Sequence, residues 1–331
     1  MKALVTGGGG FLGGAIVRLL VERGDEVRSF SRGVYPELER LGAAQFRGDL
    51  ADREAVSRAA AGCDIVFHVA ARAGVWGNFT DFYRANVLGT ENVIAACQSR
   101  GIGRLVYTSS PSVVFDGRDV EGGDESLPYP SHYEAPYPAT KATAERLVLA
   151  ANSPGLATVS LRPHLIWGPG DNHLVPRIIA RGKAGRLRRI GKRPCLVDTV
   201  YVDNAAQAHL LAADRLAPGS PIAGRAYFIS NGEPIPLWEM VNRILAAAGL
   251  PPVTAGIPPW AAFAAGGLCE ALWRFLRLSG EPPMTRFVAR EMATAHWFDI
   301  SAARRDLGYD PEVSIDEGLR RLAGWLTAQR G

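Results

Sequence analysis

The chain has 331 residues, 47% of them apolar and 21% charged, with 37 Lys and Arg against 33 Asp and Glu for a net charge of +4. That length supports one large domain or two lobes around a substantial core, and so mild a charge excludes an obligate nucleic-acid binder, which concentrates basic residues on one face. The four cysteines (Cys63, Cys97, Cys195 and Cys269) are widely spaced; they rule out the common zinc spacings and a disulfide framework, leave no metal site to expect, and suit a reducing cytoplasm.

The first thirty residues read as strand, glycine turn, helix, strand. Residues 2–6 are a short apolar run, 7–10 turn, 11–23 carry apolar residues at helical spacing, and Gly24 ends the helix before a second strand at 27–30. A glycine turn in that setting lets the backbone close on a pyrophosphate and aims the helix N-terminus at it. Gly7, Gly9, Gly10, Phe11, Leu12 and Gly13 are therefore expected to hold a dinucleotide. The ribose reader should follow the second strand. Ser31 and Arg32 stand there instead of Asp or Glu, and Arg32 can pair with a 2′-phosphate, which predicts NADP(H). Asp49, followed by Leu50, either accepts from the adenine amine or caps a helix over 50–61.

Further strands are expected at 64–70, 104–110 and 158–162, and helices near 52–61, 82–100 and 138–151. Strands alternating with helices imply a doubly wound parallel sheet, an α/β fold of Rossmann type. After about residue 165 Pro and Gly become frequent and the alternation stops. The reading is a dinucleotide-binding domain over 1–165 and a smaller, interleaved substrate lobe over 166–331, with segments near 195–231 returning to the first. One of these is a strand at 226–230.

Tyr137 and Lys141 stand four apart on one predicted helix face. With nine tyrosines and so few lysines, chance places such a pair roughly 0.1 times along the chain. A lysine cation beside a phenol favours the phenolate and lowers a pKa of about 10, so Tyr137 is expected to exchange a proton with an alcohol or carbonyl. Further on, 177–193 holds eight Arg and Lys and no acid, either a solvated face or an attractor of anions. Residues 244–269 are uncharged, but prolines at 251, 252, 258 and 259 interrupt them, so no transmembrane helix is expected. From Trp260, apolar residues recur at Phe263, Ala264, Gly267, Leu268, Ala271, Leu272, Phe275 and Leu276, with Glu270, Arg274 and Arg277 off the stripe. The stripe reads as a helix packed on the second lobe, a wall for alkyl chains, or a face for a membrane or partner.

Taken together, the 6–13 loop, His68-Val69-Ala70-Ala71, Asn86, Thr108-Ser109-Ser110, Tyr137-x-x-x-Lys141, Arg162-Pro163, Gly168-Pro169-Gly170-Asp171 and Tyr201-Val202-Asp203-Asn204 resemble, in order and spacing, the extended short-chain dehydrogenase/reductases. The resemblance implies Tyr137 as proton donor, Lys141 holding the nicotinamide ribose, and Ser110 on the substrate oxygen, with Ser109 and Ser112 as competitors. It implies a cofactor contact for Val69, Ala70 and Ala71, places Pro163 and His164 beside the nicotinamide, and gives Asn86 an anchoring or catalytic place; His164 also reads as a satisfied structural histidine. The 162–171 run is similar to the 3β-hydroxysteroid dehydrogenase branch. The 70–77 and 108–112 runs resemble that branch's bacterial 2-alkyl-3-oxoalkanoate reductases of olefin biosynthesis. That resemblance implies NADPH-dependent reduction of a long-chain keto acid, with a sterol, a nucleotide sugar or a non-catalytic NADP-binding role as rivals. A homodimer is common in the family, and a peripheral membrane or multi-enzyme contact is open to it.

Overall fold

The computed structural model describes residues 1–329. Seven parallel strands form the main sheet: β1 (Lys2–Thr6), β2 (Glu26–Ser31), β3 (Ala44–Arg47), β4 (Ile65–His68), β5 (Arg104–Thr108), β6 (Ala157–Pro163) and β7 (Arg225–Ile229), in the order 3-2-1-4-5-6-7. All residues of β4 and β6 are buried, as strands covered on both faces require. β1 shows the two-residue period directly. Ala3 and Val5 join a core with Ile16, Leu20 and Ala205, whereas Leu4 joins one with Val66, Val93 and Val148. Helices α1 (Phe11–Glu22) and α4 (Val202–Arg215) cover the first face. α2 (Gly89–Arg100) and α3 (Pro136–Ala150) cover the second.

Strand order reverses direction between β1 and β4, which opens a crevice at the carboxyl ends of the strands. The expected strands at 64–70 and 104–110 end at His68 and Thr108, two residues early, because the chain there turns to line that crevice. The 82–100 helix is real but starts earlier, with an α-helical turn at Phe79–Phe82 that runs into a π-helical turn (Tyr83–Leu88) holding Asn86.

The two lobes exchange chain. β7 comes from the C-terminal half and pairs with β6. In return Val120–Gly123 forms the edge of a small sheet whose other strands are His296–Phe298, Leu196–Val197 and Ile235–Pro236. A second core around Trp167, Tyr201, Ile244 and Leu322 fills the smaller lobe. Its helices α5 (Pro259–Phe275) and α6 (Arg286–Glu291) pack on each other. Among the described residues no helix is long and apolar enough to cross a membrane.

Candidate active site

A cleft of ≈ 710 Å³ runs along the crevice. Gly7, Gly10, Phe11, Leu12, Gly13, Ser31, Arg32, Asp49, Leu50, Val69, Ala70, Ala71, Ser110, Tyr137, Lys141 and Pro163 all line it; Gly9, Asn86 and His164 do not.

At its first end the glycines let backbone pack closely on backbone. Gly7 has φ +73°, and a Cβ there would lie 2.9 Å from the Ala70 backbone; a Cβ on Gly13 would lie 2.1 Å from the Gly7 carbonyl oxygen. Gly9 instead lies beneath the Tyr35 ring, 2.1 Å from where its own Cβ would be. α1 starts with no capping side chain and no acid in its first turn, so its free N–H groups and positive end face the cleft. The Arg32 guanidinium is exposed and has no hydrogen-bond or ion-pair partner among the described residues. Asp49 lines the cleft and approaches Arg84 at 3.7 Å. It caps no helix, because Asp52 accepts from Ala55 N and starts the Arg53–Ala60 helix. An open helix terminus, a glycine cradle and an unpaired arginine fit a phosphate-bearing dinucleotide.

At the other end α3 presents Tyr137 and Lys141. Pro136 opens this helix at a position where its missing N–H costs nothing. Lys141 is buried, donates from Nζ to the Thr108 carbonyl at 2.6 Å and sits 4.2 Å from the Tyr107 ring centroid. Burial pushes it down to about 7, against an upward pull from Glu145. Tyr137 goes the other way. Burial raises its phenol to about 12, opposed by the Ser110 hydroxyl and aided by repulsion from Glu291. The expected lowering of Tyr137 by Lys141 is therefore not what the chain's own groups produce: burial is the first cause of the shift, and Lys141 is not among its causes.

Of the three competing serines, Ser110 neighbours the phenol. Ser112 bonds Ser110 Oγ at 2.9 Å, while Ser109 is buried and turned toward Glu145. Asn86 has its amide fully engaged: Nδ2 donates to Arg72 O and Thr140 Oγ1, and Oδ1 accepts from Arg72 N. It ties the loop after β4 to α3, the anchoring half of its two expected places. His164 has both ring nitrogens engaged. Nδ1 bonds Asp198 Oδ1 at 2.5 Å, and Nε2 meets His296 Nδ1 at 3.2 Å, while His296 Nε2 bonds the Glu291 carbonyl at 2.9 Å. Burial, with His164 as the next cause, pushes His296 down to about 4.

Several residues of the site escaped sequence reasoning. Glu145 lies one turn beyond Lys141 and is bound bidentately by Arg162, with Tyr129 and Ser160 also donating. Burial raises its carboxyl, but Arg162 outweighs this and holds it low. Tyr-Lys-Glu at successive i+4 steps was the available signal. Leu165 lines the cleft with φ +43°, a strained non-glycine conformation that nothing in the sequence announces. Glu291, at the end of α6, is hemmed in by protein though not sealed from solvent, and its carboxyl has no partner among the described residues. Burial raises it to about 7.

Residues 4–255 match the 3-beta hydroxysteroid dehydrogenase/isomerase family. The chain is 58% identical over 324 residues to a 2-alkyl-3-oxoalkanoate reductase of Stenotrophomonas maltophilia, across 97% of this chain and 98% of that one. It is 52% identical to a protein of the same name from Shewanella oneidensis, across 98% and 86%. Among solved structures it resembles the Thermus thermophilus UDP-glucose 4-epimerase complexed with NAD, at TM-score 0.74 and 27% identity over 99% of both chains.

Proposed function

The chain belongs to the 3-beta hydroxysteroid dehydrogenase/isomerase family and is an oxidoreductase of the extended short-chain dehydrogenase/reductase type that acts on a 3-oxo group; from that premise we propose that it reduces a long-chain 2-alkyl-3-oxoalkanoate to the 3-hydroxy acid, reversibly, with NADPH. The observation that carries the reading is the cleft itself, which joins an unpaired Arg32 at one end to Ser110, Tyr137 and Lys141 at the other. Arg32 is suited to a 2′-phosphate. A reduced nicotinamide bound there supplies the hydride. Tyr137 donates its proton to the substrate's 3-oxygen while the Ser110 hydroxyl bonds the same oxygen as negative charge grows on it. Lys141 would hold the cofactor ribose. The substrate class rests on the relatives at 58% and 52% identity.

The test follows nicotinamide absorbance with purified enzyme against a panel of 2-alkyl-3-oxoalkanoates, 3β-hydroxysterols and UDP-sugars. The expected result is NADPH oxidation by the keto acids with formation of the 3-hydroxy acid. Turnover of a sterol or a UDP-sugar, with the keto acids inert, overturns the reading.

A further inference from the structure

Helix α5 carries the most unusual surface of the molecule. Trp260 is 74% exposed, Leu268 63%, Leu272 42%, Phe275 84% and Leu276 55%. Positions 260, 264, 268, 271 and 275 fall within an arc of about 80° on a helix of 3.6 residues per turn. The opposite side packs, through Ala262, Gly266 and Glu270, which are buried, and through Phe263 and Trp273, which are half-buried. A Cβ on Gly266 would lie 2.7 Å from the Thr285 carbonyl carbon, and Glu270 pairs with Arg286 at 2.8 Å. The expected packing of the apolar stripe on the second lobe holds for Phe263, which joins the smaller lobe's core, whereas Trp260, Leu268, Leu272, Phe275 and Leu276 face outward. Monomeric proteins rarely leave so much contiguous apolar surface in water.

The surroundings are basic. Lys183, Arg186, Arg188, Lys192, Arg274 and Arg277 have no acidic partner among the described residues. The 177–193 segment meets the chain on either side of α5: Arg189–Ile190 pairs with Gly256–Ile257 just before it, and Arg181 bonds the Pro283 carbonyl beyond it. The face also adjoins the cleft. Arg274 stacks on Trp76 at 5.2 Å, and the loop holding Trp76 begins with Arg72 and Ala73, which line the cleft mouth.

We propose that the outward face of α5 docks the enzyme on an anionic lipid surface, Trp260, Leu268 and Phe275 entering the acyl boundary and the flanking arginines and lysines meeting the headgroups. Charge complementarity selects this occupant. An amphipathic helix with aromatic anchors and basic flanks gains from both apolar burial and anionic lipid. A second copy bound face to face would oppose the same unpaired cations. The proposed lipid-acid substrate supplies a purpose for the docking, but the docking stands or falls on its own measurement.

That measurement is co-sedimentation of the full chain with vesicles of phosphatidylcholine alone or mixed with phosphatidylglycerol, at low and high salt. Binding is expected only to the anionic vesicles, weakened at least tenfold by high salt and at least tenfold by a Trp260→Ser, Leu268→Ser, Phe275→Ser variant. That variant should keep its melting temperature and its turnover of a short, water-soluble keto acid. If the triple variant misfolds, Trp260→Ser alone replaces it, with a loss of at least threefold expected. Equal binding by wild type and variant, no anionic binding at low salt, or a solution dimer or protein complex that only these substitutions dissolve would each overturn the proposal. Loss of turnover on the soluble substrate in the wild type would instead strike the function proposed above.

Discussion

Replacing Lys141 with Met should abolish activity and, at low pH, stabilise the fold. The unfolded lysine holds its proton up to 10.5, whereas burial makes the folded one release it near 7. Between those values the unfolded chain binds more protons, so stability rises with pH across the window and the penalty is full below its lower edge. At 1.36 kcal/mol per unit, the burden is about 5 kcal/mol near pH 6, about 3 near pH 8 and about 1 near pH 10. Met removes the titration and also the hydrogen bond to Thr108 O, a loss of roughly 1–3 kcal/mol that does not vary with pH. The discriminating quantity is therefore the slope. Urea unfolding of both proteins at these pH values should show wild type gaining about 4 kcal/mol on the variant from pH 6 to 10, with unchanged m-values. A difference independent of pH would refute the buried, depressed lysine.

Three further substitutions probe the rest of the cleft. Tyr137→Phe should lower kcat by about 10²–10⁴-fold in stopped assays, with NADPH affinity measured by fluorescence titration nearly intact. Arg32→Ala should cost roughly 10–100-fold in kcat/KM with NADPH and little with NADH; equal losses with both cofactors would remove Arg32 from the ribose site. Glu291 is raised to about 7 by burial, so its neutral form is the favoured one and its ionisation costs stability as pH climbs from about 4.5 to 7. Glu291→Gln should gain on wild type across that interval and level off above it. It should also flatten any rise in KM for a carboxylate substrate through neutral pH, read from a pH series of initial rates.

The parts legible in the sequence were those encoded by local spacing. Gly7 and Gly13 sit where backbone must approach backbone, and the Tyr137–Lys141 step fixed a shared helix face before any tertiary contact was known. The strand expected at 226–230 was readable from its apolar run and forms at Arg225–Ile229. What spacing could not encode was partnership across the chain. His164 is neutral to sequence inspection until Asp198 and His296, 34 and 132 residues away, reach its two nitrogens. Glu291 looked like one more helical glutamate, because its meaning depends on the fold bringing its charge within reach of the Tyr137 phenol. The α5 stripe shows the same limit. Periodicity found the apolar face, but apolar periodicity assumes that large residues pack and small ones do not. Here Gly266 permits a backbone approach that no large side chain allows, so the contact formed on its side, with Phe263, and left Leu268 and Phe275 outward.

The direction of the Tyr137 shift bears on how the rates of reduction and oxidation depend on pH. Tyr137, Lys141 and Glu291 are all displaced toward their neutral forms, Tyr137 and Glu291 upward and Lys141 downward, with burial as the first cause in each case. That is the effect of desolvation by surrounding protein, not of one cation tuning one phenol. A proton donor must carry its proton at working pH, and a phenol held at about 12 does so at neutrality. Reduction therefore starts from the state the chain itself favours, and the proton leaves only as the substrate oxygen takes up charge. Oxidation of the alcohol must first ionise that phenol, at a cost of about 1.36 kcal/mol for each unit separating its pKa from the ambient pH. Desolvation thus keeps the phenol protonated at neutral pH while making it a weaker acid. The oxidation rate should climb steeply with pH in a range where the reduction rate is flat.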